Sequence, residues 1–148
     1  MKRIVIVDTN VLWSTAYKAT SDIGQFELAS DPNKIAFYAP EYLTREIDRH
    51  FDKIVRLSGQ SSSEVQTVLD LAYKRITFIP DSDIPFKHYR TALPLVRDVD
   101  MDDIAFVALT EFMDEILWTG DPKLYSALKR KVYNKVVNFK ELKELLRE

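Results

Sequence analysis

Acidic residues recur in this sequence at points where carboxylates can do chemistry. They are Asp8, Glu46, the group Asp100, Asp102 and Asp103, and Asp121. Carboxylates that crowd together repel one another and raise each other's pKa unless a cation neutralises them. The chain has no cysteine, and oxygen ligands without thiolates suit Mg²⁺ or Mn²⁺ rather than zinc. The decisive question is therefore whether the fold brings these acids together.

Each acid, taken alone, also has a structural explanation. Asp121 precedes Pro122, and an aspartate followed by proline is a common helix start. Asp100 is a good N-cap, with Asp103 placed to reach back as in a capping box. Glu46 can pair with a basic neighbour on its own helix face. A shared site is thus favoured only if several acids converge.

The hydrophobic pattern predicts strands that alternate with helices. The predicted strands are 4–7, 35–39, 76–79, 115–119 and 135–137, and the predicted helices are 11–19, 22–28, 41–57, one from about 64, 101–112, one starting at Asp121-Pro122, and 139–147. The segment 81–99 is interrupted by two prolines and is hard to assign, with one or two helical turns expected at 89–93. The alternation indicates an α/β fold with a mainly parallel sheet.

This element order gives the acids a common location. Ligands of open parallel sheets bind beyond the carboxyl ends of the strands. Asp8 follows the first strand, Asp121 follows the fourth, and Asp103 lies in the helix that leads into the fourth. If the first and fourth strands are neighbours, these three carboxylates converge at one edge of the sheet.

Composition narrows the class of protein. A chain of 148 residues predicts a single domain, 1–148, with a substantial core. The formal net charge of −2 argues against a protein that simply coats nucleic acid. The sequence enters a strand at once and contains no apolar run of membrane-spanning length, so we expect a cytoplasmic protein that does not associate with membranes.

Four segments resemble the PIN-domain family of metal-dependent ribonucleases. They are VDTNVL at 7–12, PEYLTREI at 40–47, DVDMDDIAFVAL at 98–109 and WTGD at 118–121. The resemblance implies a three-layer α/β/α domain whose central five-stranded sheet has the order 3-2-1-4-5. It also implies a four-carboxylate site formed by Asp8, Glu46, Asp103 and Asp121, with Asn10 and Thr119 as polar support.

One ambiguity lies inside this match. Asp102 and Asp103 are adjacent on a predicted helix, so their side chains point about 100° apart and cannot face one site equally. Asp103 lies three residues before Phe106, the spacing that the family usually shows between its acid and the first core residue. We therefore expect Asp103 in the site, with Asp100 and Asp102 as supporting or capping groups.

The resemblance implies a Mg²⁺- or Mn²⁺-dependent endoribonuclease that hydrolyses phosphodiester bonds in single-stranded RNA. Asp8, Asp103 and Asp121 would hold the metal ions, and Glu46 would orient or deprotonate the attacking water. It further implies the toxin of a toxin–antitoxin pair, with an antitoxin protein as partner and a homodimer as the assembly. The alternative is a catalytically weak PIN-like module that binds RNA or protein.

An RNA groove also needs basic and aromatic side chains. Trp13 and Tyr17 are candidates for stacking on bases, whereas Trp118 lies in a strand and is expected in the core. The basic candidates are Arg45, Arg49, Lys53, Arg56, Lys87, His88, Arg90 and Arg97. Such charges also mark an ordinary solvated helix face.

Other folds with an acid after the first strand fit less well. A haloacid-dehalogenase-type phosphatase needs a second acid where this chain has Asn10. A receiver domain needs a lysine after its last strand, and Lys135 precedes that strand. A dinucleotide-binding domain needs a glycine-rich turn, which the segment 8–10 lacks.

Overall fold

The central strand is the first one in the chain. Val5, Ile6 and Val7 have no exposed surface, as expected for a β-branched run covered on both faces. The computed structural model describes residues 2–147 and places this strand in the middle of a five-stranded sheet of order β3-β2-β1-β4-β5 with four parallel pairings. The strands are β1 (Arg3–Val7), β2 (Ile35–Pro40), β3 (Ile76–Ile79), β4 (Ile116–Trp118) and β5 (Val136–Val137).

Helices flank this sheet and connect its strands. They are α1 (Thr9–Tyr17), α2 (Asp22–Ala29), α3 (Tyr42–Ser58), α4 (Ser62–Tyr73), α5 (Phe86–Val96), α6 (Ile104–Met113), α7 (Pro122–Arg130) and α8 (Phe139–Leu146), with 3₁₀ turns at Asp81–Asp83 and Met101–Asp103. The expected three-layer α/β/α class and strand order are confirmed. Between residues 2 and 147, none of the helices combines the length and apolar character needed to cross a membrane.

An aromatic cluster joins two helices to the sheet. Trp118 on β4 is fully buried, stacks on Phe139 of α8 at 5.6 Å, and contacts Phe26 of α2 at 5.4 Å and Phe37 of β2 at 6.1 Å between ring centroids. Each such pair adds about 0.5–1.5 kcal/mol beyond the area it buries. The prediction that Trp118 belongs to the core is confirmed.

The register between β1 and β4 sets the position of the next residues. Val7 lies opposite Trp118, and the amide of Asp8 donates to the carbonyl of Trp118 at 3.3 Å. Asp8 and Thr119 therefore leave the sheet side by side at its carboxyl edge.

The helix α3 matches its prediction closely. It buries Leu43, Ile47 and Ile54, and it ends at Gly59, whose φ of 70° lies in the left-handed region that glycine adopts without strain. The next helix begins two residues earlier than predicted because Ser61 and Glu64 form a capping box.

The expectation for residues 81–99 was wrong in extent. In place of one or two turns, α5 is a continuous helix of 11 residues that contains Pro94. Ala92 and Val96 are buried where α5 packs against α6. Pro94 cannot donate to the carbonyl of Arg90, but both residues are exposed, so water can satisfy that carbonyl. Packing therefore outweighs the proline.

The helix predicted at 101–112 also starts differently. Its first turn is the 3₁₀ turn Met101–Asp103, and α6 follows from Ile104. The Asp100 side chain caps this turn by accepting a hydrogen bond from the amide of Asp102 at 2.9 Å. A short aspartate side chain that bonds two residues ahead favours such a tight turn.

One buried charge in the fold lies away from the sheet edge. Glu27 on α2 has no exposed surface, and neither of its carboxyl oxygens has a hydrogen-bond partner among the described residues. Burial raises the pKa of Glu27 to about 8, against an opposing effect of the Arg75 charge. The Arg75 guanidinium itself donates to the carbonyls of Leu28 and Ser30, which ties the end of α2 to the start of β3.

Glu27→Gln is expected to make the free energy of unfolding less dependent on pH. The raised pKa means that wild-type stability is full below the ordinary value near 4.5 and falls as pH rises to about 8. We expect the wild type to lose about 3 kcal/mol more than the variant between pH 5 and pH 8.5. Urea unfolding at both pH values measures the difference, and Glu144→Gln, at an exposed position, is the control. Parallel losses in wild type and Glu27→Gln would contradict it.

Candidate active site

Asp8 is the most deeply buried acid at the sheet edge, with 3% of its surface exposed. It is the N-cap of α1: Oδ1 accepts from the amide of Val11 at 3.3 Å, and Oδ2 accepts from the hydroxyl of Thr119. Burial and, to a smaller extent, the nearby charge of Asp121 outweigh these hydrogen bonds, which lower the pKa, so the pKa of Asp8 is raised to about 7. The Asp8 carboxyl therefore changes its protonation state near neutral pH because of its surroundings.

Thr119 links Asp8 to Asp121. Its hydroxyl donates to Asp8 and accepts from the amide of Asp121 at 3.0 Å. Asp121 is the N-cap of α7, with Oδ1 accepting from the amide of Lys123 at 2.9 Å and Pro122 at the first helical position. The structural explanation for Asp121 is therefore correct, and it coexists with a place beside Asp8.

Glu46 reaches the same region from α3. Its Oε1 accepts a hydrogen bond from the hydroxyl of Thr9 at 2.6 Å. The alternative pairing with a basic neighbour on its own helix is not observed among the described residues, because Arg49 pairs with Asp102 at 3.8 Å. Burial raises the pKa of Glu46, Thr9 lowers it, and the charge of Asp102 raises it.

Thr9 is the residue at this site that sequence reasoning missed. It follows Asp8 directly in the VDTNVL segment, so its proximity to the acids was readable from the sequence. Its partner on α3 was not readable, because the contact joins residues 37 positions apart.

Asp103 occupies the junction between the 3₁₀ turn and α6. Its Oδ2 is buried and has no hydrogen-bond partner among the described residues. Burial is the largest cause that raises the pKa of Asp103 to about 8, and the charges of Asp100, Asp8, Asp121 and Glu46 contribute to the same increase. The Asp103 carboxyl is therefore near enough to the three other predicted site residues for their charges to affect its pKa.

The capping alternative for Asp103 is wrong. The amide of Asp100 donates to the carbonyl of Val96 at 2.9 Å rather than receiving the Asp103 side chain. Asp102 is exposed and pairs with Arg49. The geometry therefore favours Asp103 over Asp102 as the inward-facing acid.

One cavity of about 170 Å³ collects these side chains. Asp8, Glu46, Asp103 and Asp121 all line it, as do Asp100, Asp102 and Asn10. Trp13 and His50 form its wall on the side of α1 and α3, with their rings edge to face at 5.2 Å between centroids. Four segments that are distant in sequence thus supply carboxylates to a single space.

The chemistry of this donor set fits a hard divalent cation. Its acidic groups supply only oxygen, and the buried Oδ2 of Asp103 is unpartnered in residues 2–147. Within the same range, no three carboxylates or histidines are placed closely enough to hold a metal ion. Asp8, Glu46 and Asp121 instead make hydrogen bonds with Thr119, Thr9 and neighbouring amides. Coordination would require some of these side chains to rotate.

The expected basic residues on α3 are partly engaged elsewhere. Arg45 binds Asp81, Arg49 pairs with Asp102, and both guanidinium groups lie over the ring of Tyr42, at 5.3 and 5.9 Å from its centroid. These arginines anchor parts of the fold around the cavity, so their part in RNA binding stays a prediction.

An apolar groove adjoins the cavity on the other side of Trp13. Asn10 and Trp13 line both spaces, and the groove continues along α1 and α3 past Tyr17 and Leu57. Tyr17 is 54% exposed and Leu57 is 57% exposed. The two aromatic residues proposed for stacking therefore lie next to the acidic cavity.

A family model described as PIN domain matches residues 6–139. This chain belongs to the PIN domain family. The matched range includes the four predicted site residues, Asp8, Glu46, Asp103 and Asp121, and the match confirms the resemblance inferred from the four short segments.

Two solved structures share the fold of this PIN domain. VapBC2 from Rickettsia felis, in a crystal structure with a DNA fragment from its promoter, aligns with a TM-score of 0.68 and 16% identity over 91% of this chain and 98% of that chain. PAE2754 from Pyrobaculum aerophilum aligns with a TM-score of 0.67 and 15% identity over 98% of this chain and 90% of that chain. No curated protein matches the sequence.

Asp103→Asn is expected to stabilise the metal-free protein at high pH. At pH 9 the wild-type carboxylate is charged and unpartnered, whereas the amide is neutral, so we expect a gain of about 1–2 kcal/mol. At pH 5 the folded carboxyl, whose pKa is raised from 3.8 to about 8, is protonated, so the gain should be clearly smaller than at pH 9, and it should vanish only below about pH 4. Thermal unfolding in EDTA at both pH values measures it.

The control for this measurement is Asp102→Asn. Asp102 is exposed and its ion pair with Arg49 is long, so we expect a change below about 0.5 kcal/mol. An equal stabilisation of Asp103→Asn at pH 5 and pH 9 would show that packing, and not charge, is responsible.

Proposed function

We propose that this PIN domain is a Mg²⁺- or Mn²⁺-dependent endoribonuclease that cleaves single-stranded RNA. The observation that supports the proposal is the convergence of Asp8, Glu46, Asp103 and Asp121 on one cavity. Each comes from a different segment, and burial raises the pKa of three of them. Family membership supports the same reaction class.

In this proposal the four acids have different roles. Asp8, Asp103 and Asp121 would hold the divalent cation, whose chemistry is to activate water and stabilise the charge that develops on a phosphodiester. Thr119 orients the Asp8 carboxylate by donating to it and holds the backbone of Asp121 by accepting from its amide. Asp103 provides the free oxygen, because its Oδ2 carries no hydrogen bond among the described residues.

Glu46 is the group proposed to orient or deprotonate the attacking water. The hydroxyl of Thr9 fixes its Oε1, which leaves Oε2 to face a water molecule. Its raised pKa improves a carboxylate as a proton acceptor. The two threonines thus act through the acids and need not contact the substrate.

We further propose that the protein acts in the cytoplasm as the toxin of a toxin–antitoxin pair and forms a homodimer. Similarity in fold to VapBC2, which was crystallised with promoter DNA, supports the pairing that the sequence resemblance implied. The apolar groove beside Tyr17 and Leu57 offers a surface for a protein partner next to the cavity. Copurification of the neighbouring gene product and the mass in solution test these two assemblies.

Cleavage of labelled single-stranded RNA in the presence of Mn²⁺ or Mg²⁺ tests the activity. Asp8→Asn and Asp103→Asn are each expected to reduce the rate on the order of a thousandfold, because each removes a charge that the reaction requires. Asp102→Asn should stay within about tenfold of wild type, since its carboxylate is exposed.

Asp52→Asn, at an exposed position of α3, controls for preparation. Equal cleavage by wild type and Asp8→Asn would identify a contaminating nuclease. Binding of RNA by a wild-type protein that does not cleave it would instead support the alternative, a catalytically weak binding module.

Metal binding has an independent readout in stability. Mg²⁺ or Mn²⁺ that binds the folded cavity and not the unfolded chain should add about 2.7 kcal/mol at a concentration one hundred times its Kd. Asp103→Asn should abolish most of this increase, and Asp52→Asn should keep it. Melting curves with and without EDTA measure the effect, and an unchanged midpoint in wild type would count against a metal site.

A further inference from the structure

A second depression opens beside the acidic cavity, on the exposed face of α7. It has a volume of about 510 Å³, and its walls carry Lys123, Ser126 and Arg130 on one side and Asp98 and Val99 on the other. We call it the α7 groove. It does not include any of the four acids of the proposed active site.

The α7 groove is continuous with the acidic cavity along the chain. Asp100 and Asp121 line the cavity, and their immediate neighbours Val99 and Pro122 line the groove. The same two segments, 98–100 and 121–123, therefore form the border of both spaces. The groove therefore adjoins the cavity at these two segments.

The charge of the α7 groove is positive. Lys123 and Arg130 are seven residues apart, so they lie on one face of α7 about 10 Å apart along its axis. Among residues 2–147, neither makes an ion pair. The acidic residue of the groove, Asp98, pairs with Lys131, and the charges of Lys131 and Arg130 both lower its pKa, so positive charge remains in excess.

This pattern fits a sugar-phosphate backbone. Two unpaired cations about 10 Å apart match a strand that carries more than one phosphate over that length. The Ser126 hydroxyl lies in the groove between them and can donate to a phosphate oxygen. By contrast, Arg45 and Arg49 near the other end of the cavity are engaged with Asp81 and Asp102.

We propose that the α7 groove holds the single-stranded RNA that extends from the acidic cavity, with Lys123 and Arg130 contacting its phosphates. The proposal rests on the proposed ribonuclease function and adds the path of the substrate. Contacts to phosphates carry no base preference, so the groove positions the strand without selecting its sequence.

The test compares Lys123→Gln/Arg130→Gln with wild type for binding of fluorescent single-stranded RNA of 12 and 4 nucleotides in EDTA. We expect the 12-mer to bind about tenfold more weakly and the salt slope of its log affinity to become shallower by about 1.4, since two phosphate contacts are lost. The 4-mer is long enough to reach both Lys123 and Arg130, and without metal the acidic cavity does not attract it, so its affinity should fall as well. In cleavage of the 12-mer with Mn²⁺, KM should rise while kcat is unchanged.

The matched control is Lys140→Gln/Arg147→Gln, which makes the same change in residue types and net charge at exposed positions outside both cavities. Equal losses in the two double variants, or an unchanged affinity and salt slope in Lys123→Gln/Arg130→Gln, would overturn the groove proposal. Thermal melts establish that both variants fold, as expected for exposed side chains.

The outcomes separate this proposal from the one on which it rests. If the wild type cleaves RNA and Lys123→Gln/Arg130→Gln has no effect, only the groove proposal is contradicted. If the wild type binds RNA without cleaving it, and the double substitution weakens this binding, the ribonuclease proposal is contradicted. The groove is then supported as an RNA-binding surface. If the wild type neither binds nor cleaves RNA, both proposals are contradicted.

Discussion

Parallel pairing of β1 with β4 is the constraint on which the site depends. Because Val7 lies opposite Trp118, the chain must leave both strands at the same level, and the residues that follow meet at the edge of the sheet. In a parallel sheet each of these exits leads into a helix, whose first amides need acceptors. Asp8 and Asp121 meet this need as N-caps, and the same geometry brings two carboxylates within electrostatic reach of each other.

Holding several acids in one partly buried space opposes folding. Burial raises the pKa of Asp8 and Asp103 to about 7 and about 8, which means that the folded chain favours their neutral forms. Thr119 and Thr9 offset part of this penalty by donating hydrogen bonds to Asp8 and Glu46. The large apolar core around the site allows the fold to tolerate the remainder, as is common where residues are placed for function rather than stability.

Much of this architecture was readable from the sequence for identifiable physical reasons. The apolar, β-branched run before Asp8 is typical of a buried strand, and the family resemblance of short segments such as WTGD implied the strand order. The extent of α5 was not readable, because the burial of Ala92 and Val96 against α6 outweighs Pro94 and depends on tertiary packing. The contact of Thr9 with Glu46 was missed for the same reason, since it joins elements that the sequence does not relate.

The distribution of charge explains why the net charge alone underestimates how well the surface can bind nucleic acid. A net charge of −2 averages an acidic cavity with the basic wall of the α7 groove. An RNA strand is repelled by uncompensated carboxylates, and it can be attracted at the same time by Lys123 and Arg130 a short distance away. A phosphate group is affected mainly by charges within about 10 Å, the Debye length at 0.1 M salt, so the local charges matter more than the net charge of the chain. A protein of this kind can therefore retain a polyanion through its groove while the cavity itself becomes attractive only when a divalent cation balances its acids.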